Sequence, residues 1–115
     1  MKKAVTIKKN HEFRRMYSRG KSAVSPAMVV YCRKNRLGHN RLGLTVSTKI
    51  GGAVVRNRAR RRLREVYRLS QPGMKQGYDI VIVARSRALK APFSAMMDSF
   101  RRLCEKLGLW EEAAK

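Results

Sequence analysis

Carboxylates are what this chain has least of. Seven acidic residues stand against 28 lysines and arginines in 115 residues. They are Glu12, Glu65, Asp79, Asp98, Glu105, Glu111 and Glu112, the last two together near the C-terminal end and the others scattered singly. A metal-dependent nuclease needs several converging carboxylates, and this distribution offers no such cluster. Histidine is equally scarce: His11 and His39 are isolated and read as solvent or backbone contacts rather than an acid–base pair. Cys32 and Cys104 are far apart among apolar neighbours, with no C-x-x-C spacing, so they read as buried thiols in a reducing compartment. No apolar run approaches the ~20 residues that span a bilayer. The opening M-K-K-A-V-T-I-K-K-N is basic but lacks the apolar stretch of a signal peptide. A soluble cytoplasmic protein without an active site of its own is expected.

What is present is enough for a fold. The apolar fraction, 43%, is ordinary for a globular chain, so the charge does not signal disorder. The length suits one domain, with a core over about residues 7–108 and a short tail over 109–115. A net charge of +21 makes a compact domain repel itself, and a polyanionic partner relieves that repulsion. Nucleic acid is the leading candidate, with an anionic membrane surface behind it.

Periodicity places the elements. Asn10 is positioned to cap a helix running to about Arg19, with Gly20 ending it in a left-handed turn. Phe13, Met16 and Tyr17 form its apolar stripe. Ser25-Pro26 breaks the pattern, and Met28–Arg33 follows as a strand with Val29 and Tyr31 on one face and Met28, Val30 and Cys32 on the other. A basic loop over 34–40 leads to a second strand, Arg41–Ser47. A helix over about 54–69 comes next. Tyr78–Ala84 (Y-D-I-V-I-V-A) is a nearly continuous apolar run, the mark of a strand covered on both faces. Pro92 suits the first turn of a last helix, whose stripe is Phe93, Met96, Met97, Phe100, Leu103, Cys104 and Leu107. The order helix, strand, strand, helix, strand, helix predicts a small α+β sandwich with about four strands.

The segment Arg56–Arg68 reads R-N-R-A-R-R-R-L-R-E-V-Y-R, with seven arginines in thirteen residues. It still keeps a helical apolar stripe of Val55, Ala59, Leu63, Val66 and Tyr67, which a solvated basic tail would lack. On a helical wheel Asn57, Arg61, Arg64 and Arg68 point away from that stripe, while Arg56, Arg58, Arg60 and Arg62 flank it. Seven crowded guanidinium groups opposed by Glu65 alone point to phosphate contact rather than a solvated face. Asn57, the one neutral polar residue among them, suits a base edge, sugar or bent backbone.

Phe13 and Tyr17 are four residues apart, and Tyr31 lies on a strand. All three fit a core. Rings beside basic residues also bind single-stranded nucleic acid by stacking, and composition leaves both readings open. A ribosomal protein or a basic DNA-binding domain competes with an RNA-processing role, although a nearly all-arginine helix lacks the varied side chains of a DNA reader. A membrane-active helix is disfavoured by small apolar residues and the absence of a tryptophan anchor.

From Ile50 to Arg64 the chain reads I-G-G-A-V-V-R-N-R-A-R-R-R-L-R. This strongly resembles the signature of the protein subunit of bacterial ribonuclease P, through Ala53, Arg56-Asn57-Arg58, Arg60-Arg61 and Leu63-Arg64. K-K-N-x-x-F at Lys8–Phe13, G-L-x-V-S at Gly43–Ser47 and the Tyr78–Ala84 strand followed by Arg85 agree, so the likeness covers about residues 7–107. The resemblance implies a two-layer α/β sandwich with a mixed sheet and three helices, the arginine helix lying in a left-handed βαβ crossover. It implies an endonuclease whose large RNA holds Mg²⁺ and removes the 5′ leader of precursor tRNA, while the protein, a monomer without an obligate protein partner, binds that RNA and the leader. Carried over by position, Arg56, Asn57, Arg58, Arg60, Arg61, Arg62, Arg64 and Arg68 form the catalytic-RNA face. Phe13, Tyr17 and Tyr31 form the leader-binding cleft. No catalytic residue is assigned to the protein.

Overall fold

A computed structural model describes residues 6, 7 and 9–111. The basic residues 1–5, Lys8 of the K-K-N-x-x-F match, and residues 112–115 lie outside the described residues. Three helices, α1 (Asn10–Arg19), α2 (Ala53–Ser70) and α3 (Phe93–Lys106), accompany four strands: β1 (Lys21–Val24), β2 (Met28–Lys34), β3 (Arg41–Thr45) and β4 (Tyr78–Ala84). The sheet order is β1-β2-β4-β3. β2 runs antiparallel to β1 and β4, whereas β3 and β4 are parallel and joined through α2.

Register assigns the two faces. Val30 lies opposite Ile82, and Leu42 opposite Ile80, so the even-numbered residues of β2, β3 and β4 share one face. That face packs against Ala59, Leu63, Val66 and Tyr67 of α2 and against Met96, Phe100, Leu103 and Cys104 of α3, all buried. This is the expected two-layer sandwich. The odd-numbered face carries Tyr31, Gly43, Thr45, Val81 and Val83. Helix α1 covers part of it, setting Met16 against Ile7 and Val81 in a second small cluster.

Several details differ from expectation. The chain enters α1 through Lys9 at the capping position, and Asn10 is the first helical residue, with no side-chain cap. Gly20 is extended rather than left-handed (φ −76°, ψ 157°). It is needed there for space: a Cβ would stand 2.6 Å from the Met16 carbonyl oxygen. Strand β1 was not predicted, because K-S-A-V is short and mostly exposed; it forms by pairing its backbone with β2. β3 ends at Thr45 rather than Ser47. Phe93 is exposed at the start of α3 instead of joining its buried stripe. Packing also runs past residue 108: Leu109 is fully buried, and the ring of Trp110 covers Gly73, where a Cβ would stand 2.3 Å from it. Two backbone bonds, Lys75 N–H to Leu109 O and Glu111 N–H to Gly73 O (both 2.7 Å), hold that clasp shut.

Cys32 and Cys104 are free, buried thiols. Burial, followed by the nearby Cys32, raises the Cys104 pKa to about 12, so it stays protonated. No helix among the described residues is long and apolar enough to cross a membrane.

One polar cluster ties α1 to the sheet. Arg41, at the start of β3, donates from Nε and Nη2 to the two oxygens of Asp79 on β4 (2.8 and 2.7 Å), and from Nη2 to Glu12 of α1 (3.0 Å). Asn35 Nδ2 adds a bond to the same Asp79 carboxylate at 2.9 Å. Burial opposes the charge of Asp79, but the hydrogen bonds from Arg41 and Asn35 and the field of Arg41 and Arg33 outweigh it and hold the carboxyl below its ordinary range. A depressed carboxylate stabilises the fold above its unfolded pKa, and the contribution is lost as pH falls through the folded value. Asp79→Asn should therefore lose about 2 kcal/mol at neutral pH, the scale of hydrogen bonds to a charged group. Denaturant unfolding of the variant should vary less with acidification below about pH 4 than that of the natural chain.

Candidate nucleic-acid interface

Helix α2 spans 18 residues, about 27 Å at 1.5 Å per residue. Its buried stripe of Ala59, Leu63, Val66 and Tyr67 fixes its roll on the sheet, with Val55 half-buried at the near end. No acidic residue occupies its first turn, so the positive N-terminal end of the helix dipole adds to the arginine charge.

The arginines divide by what they touch. Arg68 makes a forked contact with Glu65 (2.9 and 2.6 Å), which lowers the Glu65 pKa mainly through those hydrogen bonds. Arg62 turns aside and donates to the backbone carbonyls of Leu89 (2.7 Å) and Ala91 (2.6 Å), just before α3. Arg60 donates to Asn57 Oδ1 at 2.9 Å, leaving the Asn57 amide N–H groups for a partner. Arg58, Arg61 and Arg64 are exposed, and no hydrogen-bond or ion-pair partner for them occurs among the described residues. Arg56 is half-buried, and its Nε is buried without a partner.

The three aromatic residues do come together. Tyr17 meets Tyr31 edge-on with ring centroids 5.0 Å apart, and Phe13 is tilted against Tyr17 at 6.5 Å. Tyr17 is 41% exposed, and its hydroxyl is hydrogen-bonded to Thr45 Oγ1 at 2.7 Å. Phe13 is half-buried over Gly43, where a Cβ would stand 2.8 Å from its ring. Gly43 is thus the seat of Phe13. Sequence periodicity missed that role, and the G-L-x-V-S motif was its only trace. Thr45 and the Arg41 cluster were missed as well. Arg14, Arg15 and Arg19 of α1 are exposed.

Cleft and helix meet. One hollow of about 190 Å³ is lined by Thr6, Ile7, Phe13, Leu42, Leu44, Arg60 and Arg64. An aromatic face beside guanidinium groups fits a nucleotide strand, with bases on the rings and phosphates on the arginines. No group of three or more His, Cys, Asp or Glu side chains that could hold a metal ion occurs among the described residues.

Fold and surface together define a small α/β nucleic-acid-binding protein whose arginine helix crosses between parallel strands. A sequence model of the family Ribonuclease P matches residues 1–108. The ribonuclease P protein component of Thermoanaerobacter sp. (strain X514) is 46% identical over 109 residues, covering 95% of this chain and 94% of that one. That of Natranaerobius thermophilus is 42% identical over 112 residues, covering 97% of each. Among solved structures, the Staphylococcus aureus RNase P protein superposes with a TM-score of 0.82 at 33% identity, covering 95% of this chain and all of that one. The Thermotoga maritima RNase P protein gives 0.76 at 27% identity, with 89% and 94% covered. The chain belongs to the ribonuclease P protein family, and with it binds RNA and serves tRNA processing.

The division among the arginines is measurable without any RNA. Arg62→Ala should lower stability by about 1–3 kcal/mol by removing donors from two backbone carbonyls. Arg61→Ala, on the exposed ridge, should stay within about 0.5 kcal/mol of the natural chain. Thermal unfolding of both at one ionic strength checks this.

Proposed function

We propose that this protein is the non-catalytic subunit of a bacterial ribonuclease P. Its partner RNA hydrolyses the phosphodiester bond that joins the 5′ leader to precursor tRNA. The observation that carries this reading is the shared hollow, where Phe13 of the aromatic cleft and Arg60 and Arg64 of α2 line one space. A leader strand stacked on Phe13, Tyr17 and Tyr31 would run directly to the arginine ridge. On that ridge Arg56, Asn57, Arg58, Arg60, Arg61 and Arg64 face the catalytic RNA near the bond to be cut. The engagement of Arg62 and Arg68 within the protein supports indirect roles for those two.

The donor set does not suit a Mg²⁺ site in the protein. Glu12 and Asp79 are bound to Arg41, Glu65 to Arg68, and Glu105 to Arg101. In our reading the ions belong to the partner RNA, and the protein acts by neutralising phosphates that would otherwise keep the two RNAs apart. A cytoplasmic monomer that assembles with RNA alone is consistent with the charge.

Reconstitution with the cognate catalytic RNA and precursor tRNA tests the reading. The protein alone should cleave nothing, and the assembled complex should cleave at a lower Mg²⁺ concentration than the RNA alone. An identical Mg²⁺ requirement with and without protein would refute it. The cleft has its own test: Tyr17→Ala should weaken binding of leader-bearing precursor by about tenfold, from the ~1–3 kcal/mol that stacking contributes per base, and leave mature tRNA unaffected. Equal losses for both would return Tyr17 to a packing role.

A further inference from the structure

We propose that the RNA-binding surface continues from α2 onto the linker between β4 and α3. There Arg87 and Lys90 bind the phosphodiester backbone of the catalytic RNA, the polyanion that α2 faces, and Arg62 is a positioning residue that holds the linker in place. The proposal rests on the reading above that α2 faces RNA.

Three observations carry it. First, α2 has two flanks. At 100° per residue Arg56, Arg60 and Arg64 fall on one side of the buried stripe, and Arg60 and Arg64 line the hollow. Arg58 and Arg62 fall on the other side. On that second flank Arg62 reaches the carbonyls of Leu89 and Ala91, so the linker lies alongside the helix. Second, the linker backbone is fixed. Ala88 is fully buried, and the amides of Ala88, Lys90 and Ala91 bond back to Arg85 or Arg87 carbonyls at 2.9–3.2 Å. Arg62 clasps the segment from outside by donating to two of its carbonyls. Third, the side chains leaving this fixed backbone are cationic. Arg87 and Lys90 are exposed, and no acidic residue occurs between Asp79 and Asp98. With exposed Arg58 one helical turn from Arg62, they extend the basic ridge sideways, away from the aromatic cleft.

The test uses the cognate catalytic RNA and the protein carrying Arg87→Ala with Lys90→Ala, Arg62→Gln, or all three. Binding is titrated across salt concentrations in two arms: protein with catalytic RNA, and assembled complex with mature tRNA, which lacks the leader. The paired alanine variant should reduce the log–log salt slope by about 1.4–1.8, the loss of two phosphate contacts. That loss is expected in the catalytic-RNA arm, and a loss confined to the tRNA arm overturns the assignment to the catalytic RNA. Arg62→Gln should weaken the same arm, yet remove no further slope once Arg87 and Lys90 are gone. An unchanged slope for the paired variant in both arms overturns the surface. A further loss of about 0.7–0.9 from Arg62→Gln in that background overturns the positioning role, because Arg62 would then touch phosphate itself. Arg61→Ala and Arg64→Ala in the same titrations separate the proposals. If they lower the slope while the paired variant does not, the linker proposal alone fails; if neither does, the RNA-facing helix fails as well.

Discussion

The guanidinium of Arg41 is the joint on which the functional surface depends. It holds β3 to β4 through Asp79 and draws α1 onto the sheet through Glu12. Residue parity makes this joint part of the cleft rather than of the main core. Arg41 and Asp79 are odd-numbered partners in register, so they lie on the same face as Tyr31, Gly43 and Thr45. The face that receives α1 is the one that shows aromatic rings to solvent. With α1 loosened, Phe13 would leave its seat on Gly43, and the hydroxyl of Tyr17 would lose Thr45.

The same joint shows how a chain of charge +21 folds at all. Four carboxylates, Glu12, Glu65, Asp79 and Glu105, pair with arginines; Glu12 and Asp79 join separate elements through Arg41, whereas Glu65 and Glu105 pair within their own helices at the surface, where an ion pair contributes little. The rest of the positive charge is left uncompensated on the surface. That arrangement keeps the compact state self-repelling, and a polyanion binding the folded form stabilises it by mass action. Stability and RNA binding are therefore coupled through charge, and salt acts on both.

Local signals revealed most of the fold. The β4 run Tyr78–Ala84 and the stripes of α2 and α3 were legible because apolar periodicity reports burial directly. So was the alternation in β2, which left Tyr31 on the α1 face. The site was legible in outline, since the aromatic trio and the arginine helix stand out by residue type. What stayed hidden depends on long-range geometry. β1 exists because β2 offers it a backbone edge, and Gly20 is required by the carbonyl of Met16 rather than by its own φ. Arg62 looks like its neighbours in sequence, and only the approach of Leu89 and Ala91 distinguishes it.

That distinction changes what the arginine count means. Seven arginines on one helix suggest seven phosphate contacts, but contact number follows from which guanidinium groups retain unengaged donors. Arg68 is forked onto Glu65, and Arg62 is committed to two carbonyls. Arg60 is steadied by Asn57 while still lining the hollow. Arg58, Arg61 and Arg64 are left on the open ridge. A guanidinium already held by the protein meets a phosphate with less loss of rotamer freedom, whereas an unheld one contributes charge but must be ordered on binding. Beside the aromatic cleft the helix therefore sets one steadied donor, Arg60, next to the unheld Arg64, while Arg58 and Arg61 stand unheld along the rest of the ridge. Held and unheld donors thus alternate on the helix, so its charge alone does not give the number of groups already oriented for a phosphate.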